Sequence, residues 1–287
     1  MAGGLFRRRL LLTGAAPNSL RVAVVSAVNR EDILQANLAR SPAIVSGEIP
    51  LHKQVRRESA SIAYNAALDG VVADVILFVH QDVYLPAPSI SRILAGIRKI
   101  EKKDSNWGLI GIIGLDRSNG LVGEVWDPRG RIGVLTGGYS EVVAMDELVL
   151  VMRTAAGLRF DPRLPAFHLY AADMIQIAAT RGMKSYVVDC PVVHNSPVHG
   201  YLGPTWAESY RYMQTKWWER LPIATLIMPV TKTGLPLLRY WLRVTKRKML
   251  RRELTSNLEI NSAAVSSRLG YDEGTVKLAE TRDRCVQ

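Results

Sequence analysis

The sequence predicts an α/β fold in which a mostly parallel sheet is covered by helices, and three observations carry the prediction. Apolar, β-branched runs alternate with helix-like segments through the first two thirds of the chain, as in strands joined by crossover helices. Val75 to Val79 is a run of five consecutive apolar residues, as a strand buried on both faces requires. With 287 residues, 48% of them hydrophobic and 22% charged, the chain has the size and core material for one large domain with an appended tail.

Taken in order, Arg21 to Ala27 reads as the first strand and Ala43 to Ser46 as a short second one. From Val55 to Leu68 the residues Ile62, Ala63, Ala66 and Ala67 recur at helical spacing, with Gly70 placed to end the helix. The strand Val75 to Val79 runs directly into His80, Gln81 and Asp82. A helix over Ser89 to Lys102 and a buried strand over Leu109 to Ile113 follow, then a glycine-rich, loop-bearing excursion from Asn119 to Ser140. Val142 to Met152 is a strand candidate around Asp146 and Glu147. His168 to Thr180 reads as a helix ended by Arg181-Gly182, and Ser185 to Asp189 as a strand leading through Pro191 to His194. The organisation expected is a basic segment over 1–19, the domain over 20–215 and a helical, basic and amphipathic extension over 216–287, with little pattern after about Ser256.

Two cysteines, Cys190 and Cys285, are too few and too far apart for a disulfide framework or a zinc cluster, so a reducing compartment is expected. The apolar run Leu10 to Leu12 behind Arg7, Arg8 and Arg9 is too short for a signal-peptide core or a membrane span. The expected location is therefore cytoplasmic, with peripheral contact to the inner face of a membrane as the further expectation. A net charge of +11 implies attraction to polyanions. Much of it is local, in the run Arg239, Arg243, Lys246, Arg247, Lys248, Arg251 and Arg252. Leu235 to Leu254 adds apolar residues to that run, which suits a helix lying on an anionic membrane surface or one packed on the domain with a solvated basic face. No zinc-finger spacing or RNA-recognition motif accompanies the charge, so no specific nucleic-acid partner is expected.

In open α/β sheets ligands bind outside the carboxyl ends of the strands, and His80-Gln81-Asp82 lies at such an end. A carboxylate there can hold a hard divalent cation that bridges a diphosphate, or it can cap the following turn. The two readings are separated by context. Ile62-Ala63-Tyr64-Asn65 followed by Ile76 to Pro86 resembles the helix, strand and Asp-X-Asp-type metal motif of the glycosyltransferase family 2 group, which has the GT-A fold. Phe160-Asp161-Pro162-Arg163 resembles the turn before that group's acceptor helix. Asp173 with Arg181-Gly182, Tyr186 to Asp189 and His194 resembles its late helix, strand and histidine, so the likeness spans roughly 20–215.

This resemblance implies a three-layer α/β/α sandwich with a mostly parallel mixed sheet, a helical C-terminal tail, and inverting transfer of a sugar from a nucleoside-diphosphate-sugar donor to an acceptor hydroxyl on a glycan, lipid or surface polymer. It implies manganese or magnesium as cofactor, with Asp82 and His194 as ligands. His80 stands where the motif usually has its first aspartate, which removes a negative charge. Ser26, Val28, Asn29, Arg30, Asn65, His80, Gln81 and Asp82 match the donor-side positions. Each has an ordinary structural alternative, such as connection for the Arg30 loop, capping for Asn65 and a carbonyl partner for His194. Asp173 is the base by position or else caps its own helix. The usual acidic pair before it is replaced by Tyr170, Ala171 and Ala172, with Asp146 and Glu147 in reserve. Trp126, His168 and Tyr170 are acceptor-side candidates, because aromatic faces pack on sugar rings. A domain that binds nucleotide-sugar without turnover, and a basic polyanion-binding protein, are the competing classes.

Overall fold

In a computed structural model of the chain, residues 20–196, 202–249 and 260–273 are described. The basic segment 1–19 and the end of the 235–254 stretch fall outside them. The strands are β1 (Val22–Val28), β2 (Leu51–Val55), β3 (Val75–Val79), β4 (Val83–Tyr84), β5 (Leu109–Gly111), β6 (Ile113–Leu115), β7 (Leu121–Asp127), β8 (Gly130–Val134), β9 (Tyr139–Val142), β10 (Ala144–Met145), β11 (Val149–Arg153), β12 (Ser185–Val188) and β13 (Val192–His194). The helices are α1 (Glu31–Ala36), α2 (Pro42–Val45), α3 (Ala60–Gly70), α4 (Ser89–Glu101), α5 (Tyr170–Thr180), α6 (Pro204–Lys216), α7 (Leu235–Met249) and α8 (Ser262–Arg268).

A seven-stranded sheet runs in the order β2-β1-β3-β11-β5-β12-β9. Its neighbours β2, β1 and β3 are parallel, as are β5 and β12, while β11 and β9 run against their neighbours. Side chains alternate across it as the strand period demands. Ala23, Val25, Ile76, Phe78, Leu150 and Met152 pack with α3, α5 and α6. Val22, Val24, Val75, Leu77, Val79, Val149 and Val151 pack with α4 and the α1–α2 region. Fully burying each such side chain stabilises the fold by roughly 1.5–3 kcal/mol, which is why β3 has no polar residue until it leaves the sheet. The three-layer α/β/α sandwich expected from the sequence is thus the observed architecture, and its main sheet is mixed, with three parallel and three antiparallel pairings.

A second sheet, ordered β10-β6-β7-β13-β4 with β8 on β7, grows out of the stretch expected to be loop. Its β7–β8 hairpin turns at Pro128-Arg129, where the Asp127 carboxylate accepts from the Arg129 backbone N–H at 2.8 Å. Three further expectations are corrected. Ala43 to Val45 lies in helix with Ser46 as its C-cap, because Pro42 presets the first helical turn, and the second strand is Leu51–Val55 on the sheet edge, where no apolar run is needed. The helix expected from Val55 begins at Ala60, where the Ser59 hydroxyl accepts from Ile62 N–H at 3.2 Å. The unpatterned C-terminus instead carries α8, whose Val265 packs with Tyr271 against Tyr84, Trp126 and Val193.

Polar contacts fasten that C-terminal segment across the second sheet. The Tyr271 hydroxyl donates to Glu124 at 2.6 Å, Asn195 donates to the Ile260 carbonyl at 2.9 Å, and Ser262 donates to Asn37 at 2.7 Å. Tyr84 and Val193, beneath the clasp, sit two residues after Asp82 and one before His194.

Candidate active site

The mouth of β3 gathers the polar residues through strand register. β11 runs antiparallel to β3 with Val149 opposite Val79, and His80 N–H continues the ladder by donating to the Leu148 carbonyl at 3.0 Å. Asp146 lies close enough to this mouth to act on the charges of His80 and His194. From the other side, β13 pairs with β4 so that His194 lies opposite Val83, and Asn195 N–H donates to the Asp82 carbonyl at 2.8 Å. Two separate pairings therefore aim His194 and Asp82 at one point.

Their side chains meet there. His194 Nε2 is 3.4 Å and His80 Nδ1 is 3.9 Å from the Asp82 carboxylate oxygens, and one ligand atom from each residue fits within 4.8 Å of the others. All three stay partly open, with 30%, 16% and 21% side-chain exposure for His80, Asp82 and His194. The far nitrogen of His80, Nε2, is 2.7 Å from the Tyr170 hydroxyl, which itself donates to the Glu147 carbonyl at 3.1 Å. With that proton committed, Nε2–H of His80 is the donor to Tyr170, and Nδ1 keeps its lone pair toward Asp82. A second contact of this kind is what orients an imidazole that ligates a metal. Two imidazoles and a carboxylate are a donor set that fits a divalent cation.

Burial alone would raise the Asp82 carboxyl, but the charges of His194 and His80 and the His194 hydrogen bond hold it at about 2. Burial pulls His80 below its ordinary value despite Asp82. For His194 burial also works downward and is outweighed by Asp82, with help from Asp146 and Asp127. His168, beside His80, is pushed down to about 4 by burial and by that neighbour. The mouth is thus a carboxylate among imidazoles.

Glu147 is the carboxyl that lies against the backbone at the start of α5. Burial first, and then the charge of Asp146, push its carboxyl up to about 8, against the pull of the backbone N–H groups of Leu169, Tyr170 and Ala171 at the start of α5. Leu169 has φ of 63°, and this left-handed residue before a right-handed one turns successive N–H groups into an anion-holding concavity. A non-glycine residue at that φ is strained by roughly 1–2 kcal/mol, and the Glu147 contact accounts for it. Beneath lies an aromatic cluster in which the Tyr64 ring centroid is 4.7 Å from Phe78, 5.4 Å from Phe160 and 5.5 Å from Tyr170.

The other expected site residues have the following places. The Gln81 side chain accepts from Asn29 and Arg30 N–H at 3.1 Å each and donates to Asn29 Oδ1 at 2.6 Å, so it pins the loop after β1 to the mouth. Arg30 is exposed and paired with Asp32 at 2.6 Å. Ser26 and Val28 are buried in the sheet, and the Ser26 hydroxyl is enclosed without a hydrogen-bond partner. Asn65 clasps the backbone of Phe160, donating to its carbonyl at 2.8 Å and accepting its N–H at 3.0 Å. Trp126 is packed beneath α8, and Tyr170 is buried with only its hydroxyl in play.

Asp173 is 1% exposed, and its oxygens are taken by Lys216 at 2.7 Å and by the Trp217 indole N–H at 2.7 Å. Burial raises its carboxyl, against the pull of Lys216 and Trp217. Lys216 also reaches Asp161 at 2.8 Å, so Asp173 belongs to an ion-pair network that ties the Phe160–Arg163 turn, α5 and α6 together. Sequence reasoning held Glu147 only in reserve and did not find the Tyr170–His80 contact. The signal for the first is a pair of acids interrupting an apolar run at Asp146-Glu147.

No family model matches the chain, and no curated protein matches it. Among solved structures, GalNAc-T7 with UDP, GalNAc and Mn2+ is 12% identical with a TM-score of 0.47, covering 71% of this chain and 49% of that one. S. aureus TarS 1–349 is 14% identical with a TM-score of 0.46, covering 82% and 76%. Mannosyltransferase PcManGT from Pyrobaculum calidifontis in complex with GDP-Man and Mn2+ is 11% identical with a TM-score of 0.42, covering 90% and 77%. The chain spans about half the length of the GalNAc-T7 chain. At this level the similarity assigns no family, and function has to be argued from the geometry at the mouth of β3.

Proposed function

We propose that the chain is a family 2-like glycosyltransferase that moves a sugar from a nucleoside-diphosphate donor to an acceptor hydroxyl with inversion. The observation that carries this reading is the convergence of His80, Asp82 and His194 at the open end of a buried strand. A divalent ion held by these three supplies charge neutralisation for a leaving diphosphate. The loop of Asn29 and Arg30, which follows Val28 at the end of β1 and is pinned by Gln81 and backed by Ser26, borders the nucleoside, and the Arg30 fork can turn from Asp32 to phosphate.

In the reaction the acceptor oxygen bonds to the anomeric carbon as the bond from that carbon to the diphosphate oxygen breaks, and the bonding pair leaves with the diphosphate. The acceptor proton passes to a carboxylate. Glu147 suits that task better than Asp173: it is partly open at the mouth and poised at about 8, in the range where a base works at neutral pH. Asp173 and Asn65 act through structure, by holding α5 and the Phe160 turn. His168 lines the acceptor side together with the Tyr170 hydroxyl. The acceptor class remains a glycan, lipid-linked sugar or polymer.

The test is release of nucleoside diphosphate from a panel of nucleotide-sugars with Mn2+, paired with direct Mn2+ binding to the protein alone. Donor-specific release that Asp82→Ala abolishes, with an unchanged melting profile, is the expected result. Donor binding without release would favour the non-catalytic domain, because His80 weakens the charge at the metal motif. No Mn2+ binding and no donor binding would end the proposal.

A further inference from the structure

We propose that the outer face of α7 docks on the surface of an anionic phospholipid bilayer. Of the large apolar side chains exposed on the described residues, Trp218, Ile227, Leu235, Leu238 and Leu242 cluster in one short stretch of chain. Leu235, Leu238 and Leu242 stand three and four residues apart, on one side of α7. They are 42%, 55% and 63% exposed, whereas Leu237 on the opposite side is 8% exposed and joins the main core with Trp241. An apolar row of this kind is unusual on a surface unless something covers it.

The neighbouring charges say what covers it. Arg239 and Arg243 are exposed on the same side and make no ion pair among the described residues. The sequence runs on through Lys246, Arg247 and Lys248 without an acidic residue. Leucines flanked by unpaired cations match the acyl–headgroup boundary of an anionic leaflet, where the leucines enter the lipid and the cations meet phosphate. No helix of the described residues is long and apolar enough to cross a membrane, so contact is by lying on the surface. The inner side of α7 is tied to the start of the segment that leads into α6, since the Tyr240 hydroxyl accepts from Leu202 N–H at 2.5 Å.

This inference draws on the surface alone, and vesicle binding is scored without donor or acceptor, so it stands or falls apart from sugar transfer. The full chain is sedimented with vesicles of phosphatidylcholine alone or mixed with phosphatidylglycerol. Binding is expected only with the anionic lipid, weakening as salt rises, and at least roughly tenfold weaker in Leu238→Glu/Leu242→Glu. Val72→Glu, at an exposed site elsewhere, should bind as the unaltered protein does. If the leucine variant does not fold, Arg239→Glu/Arg243→Glu gives the same test. Equal binding to neutral vesicles, no binding to anionic ones, undiminished binding by either variant, or binding of RNA in place of vesicles would overturn the proposal.

Discussion

Replacing Glu147 by Gln separates what this carboxyl costs the fold from what it does for the reaction. The group is raised from 4.5 to about 8, with burial as the leading cause. Holding its charged form in the fold therefore costs up to about 5 kcal/mol, at about 1.4 kcal/mol for each tenfold change in proton affinity. The sign follows from proton uptake. Between 4.5 and 8 the folded state binds the proton that the unfolded state has released, so this group's favourable contribution is complete below 4.5 and is lost as pH rises through about 8. Glutamine resembles the protonated acid in shape and cannot lose a proton. Glu147→Gln should accordingly match the unaltered protein at about pH 5 and exceed it by several kcal/mol at about pH 9, with a melting temperature higher by roughly 2–4 °C per kcal/mol. Over the same range its nucleotide-sugar transfer should fall by roughly 10²–10⁴-fold. Thermal melts of both proteins across pH, followed by transfer assays on the same samples, read both effects. A stability gap that does not change with pH refutes the electrostatic argument, and full activity in the variant refutes the role as base.

Three further outcomes follow from the contacts. Asp82→Ala and His194→Ala should each weaken Mn2+ binding at least roughly tenfold, measured by titration calorimetry, whereas a merely structural pair would leave binding intact. Asp173→Asn should lower stability by roughly 3–5 kcal/mol through the loss of its buried pairing with Lys216, yet the folded fraction should keep transfer within a few-fold; complete loss of transfer in folded protein would return Asp173 to the role of base. Tyr271→Phe should cost about 1–2 kcal/mol in urea unfolding, because buried Glu124 loses one donor while keeping Arg131, and an unchanged midpoint would show that the C-terminal clasp contributes nothing.

Much of the fold and the centre of the site are legible in the chain itself. Val75 to Val79 reads as a doubly buried strand, and polar residues directly after it must lie beyond the strand's carboxyl end. The helical period over Ser89–Glu101 and the Arg181-Gly182 stop are likewise local signals. They are readable because burial on one face imposes a period on neighbouring residues. Distant pairing leaves no such period. Lys216 meets Asp173 from 43 residues away and Tyr271 meets Glu124 from 147, and neither contact alters the pattern of residues around its partner.

The sequence by itself therefore determined the sandwich, the strand that leads to the site, and the candidates His80, Asp82 and His194. Only the tertiary structure decided that Asp173 is locked in an ion pair and that Glu147 takes the start of α5. It also decided that Trp126 lies beneath a C-terminal clasp and that Asn65 holds a backbone turn. The physical reason is that a side chain's chemistry comes from its type, whereas its task depends on which partners reach it first, and those partners are set by register and packing between segments far apart in the chain.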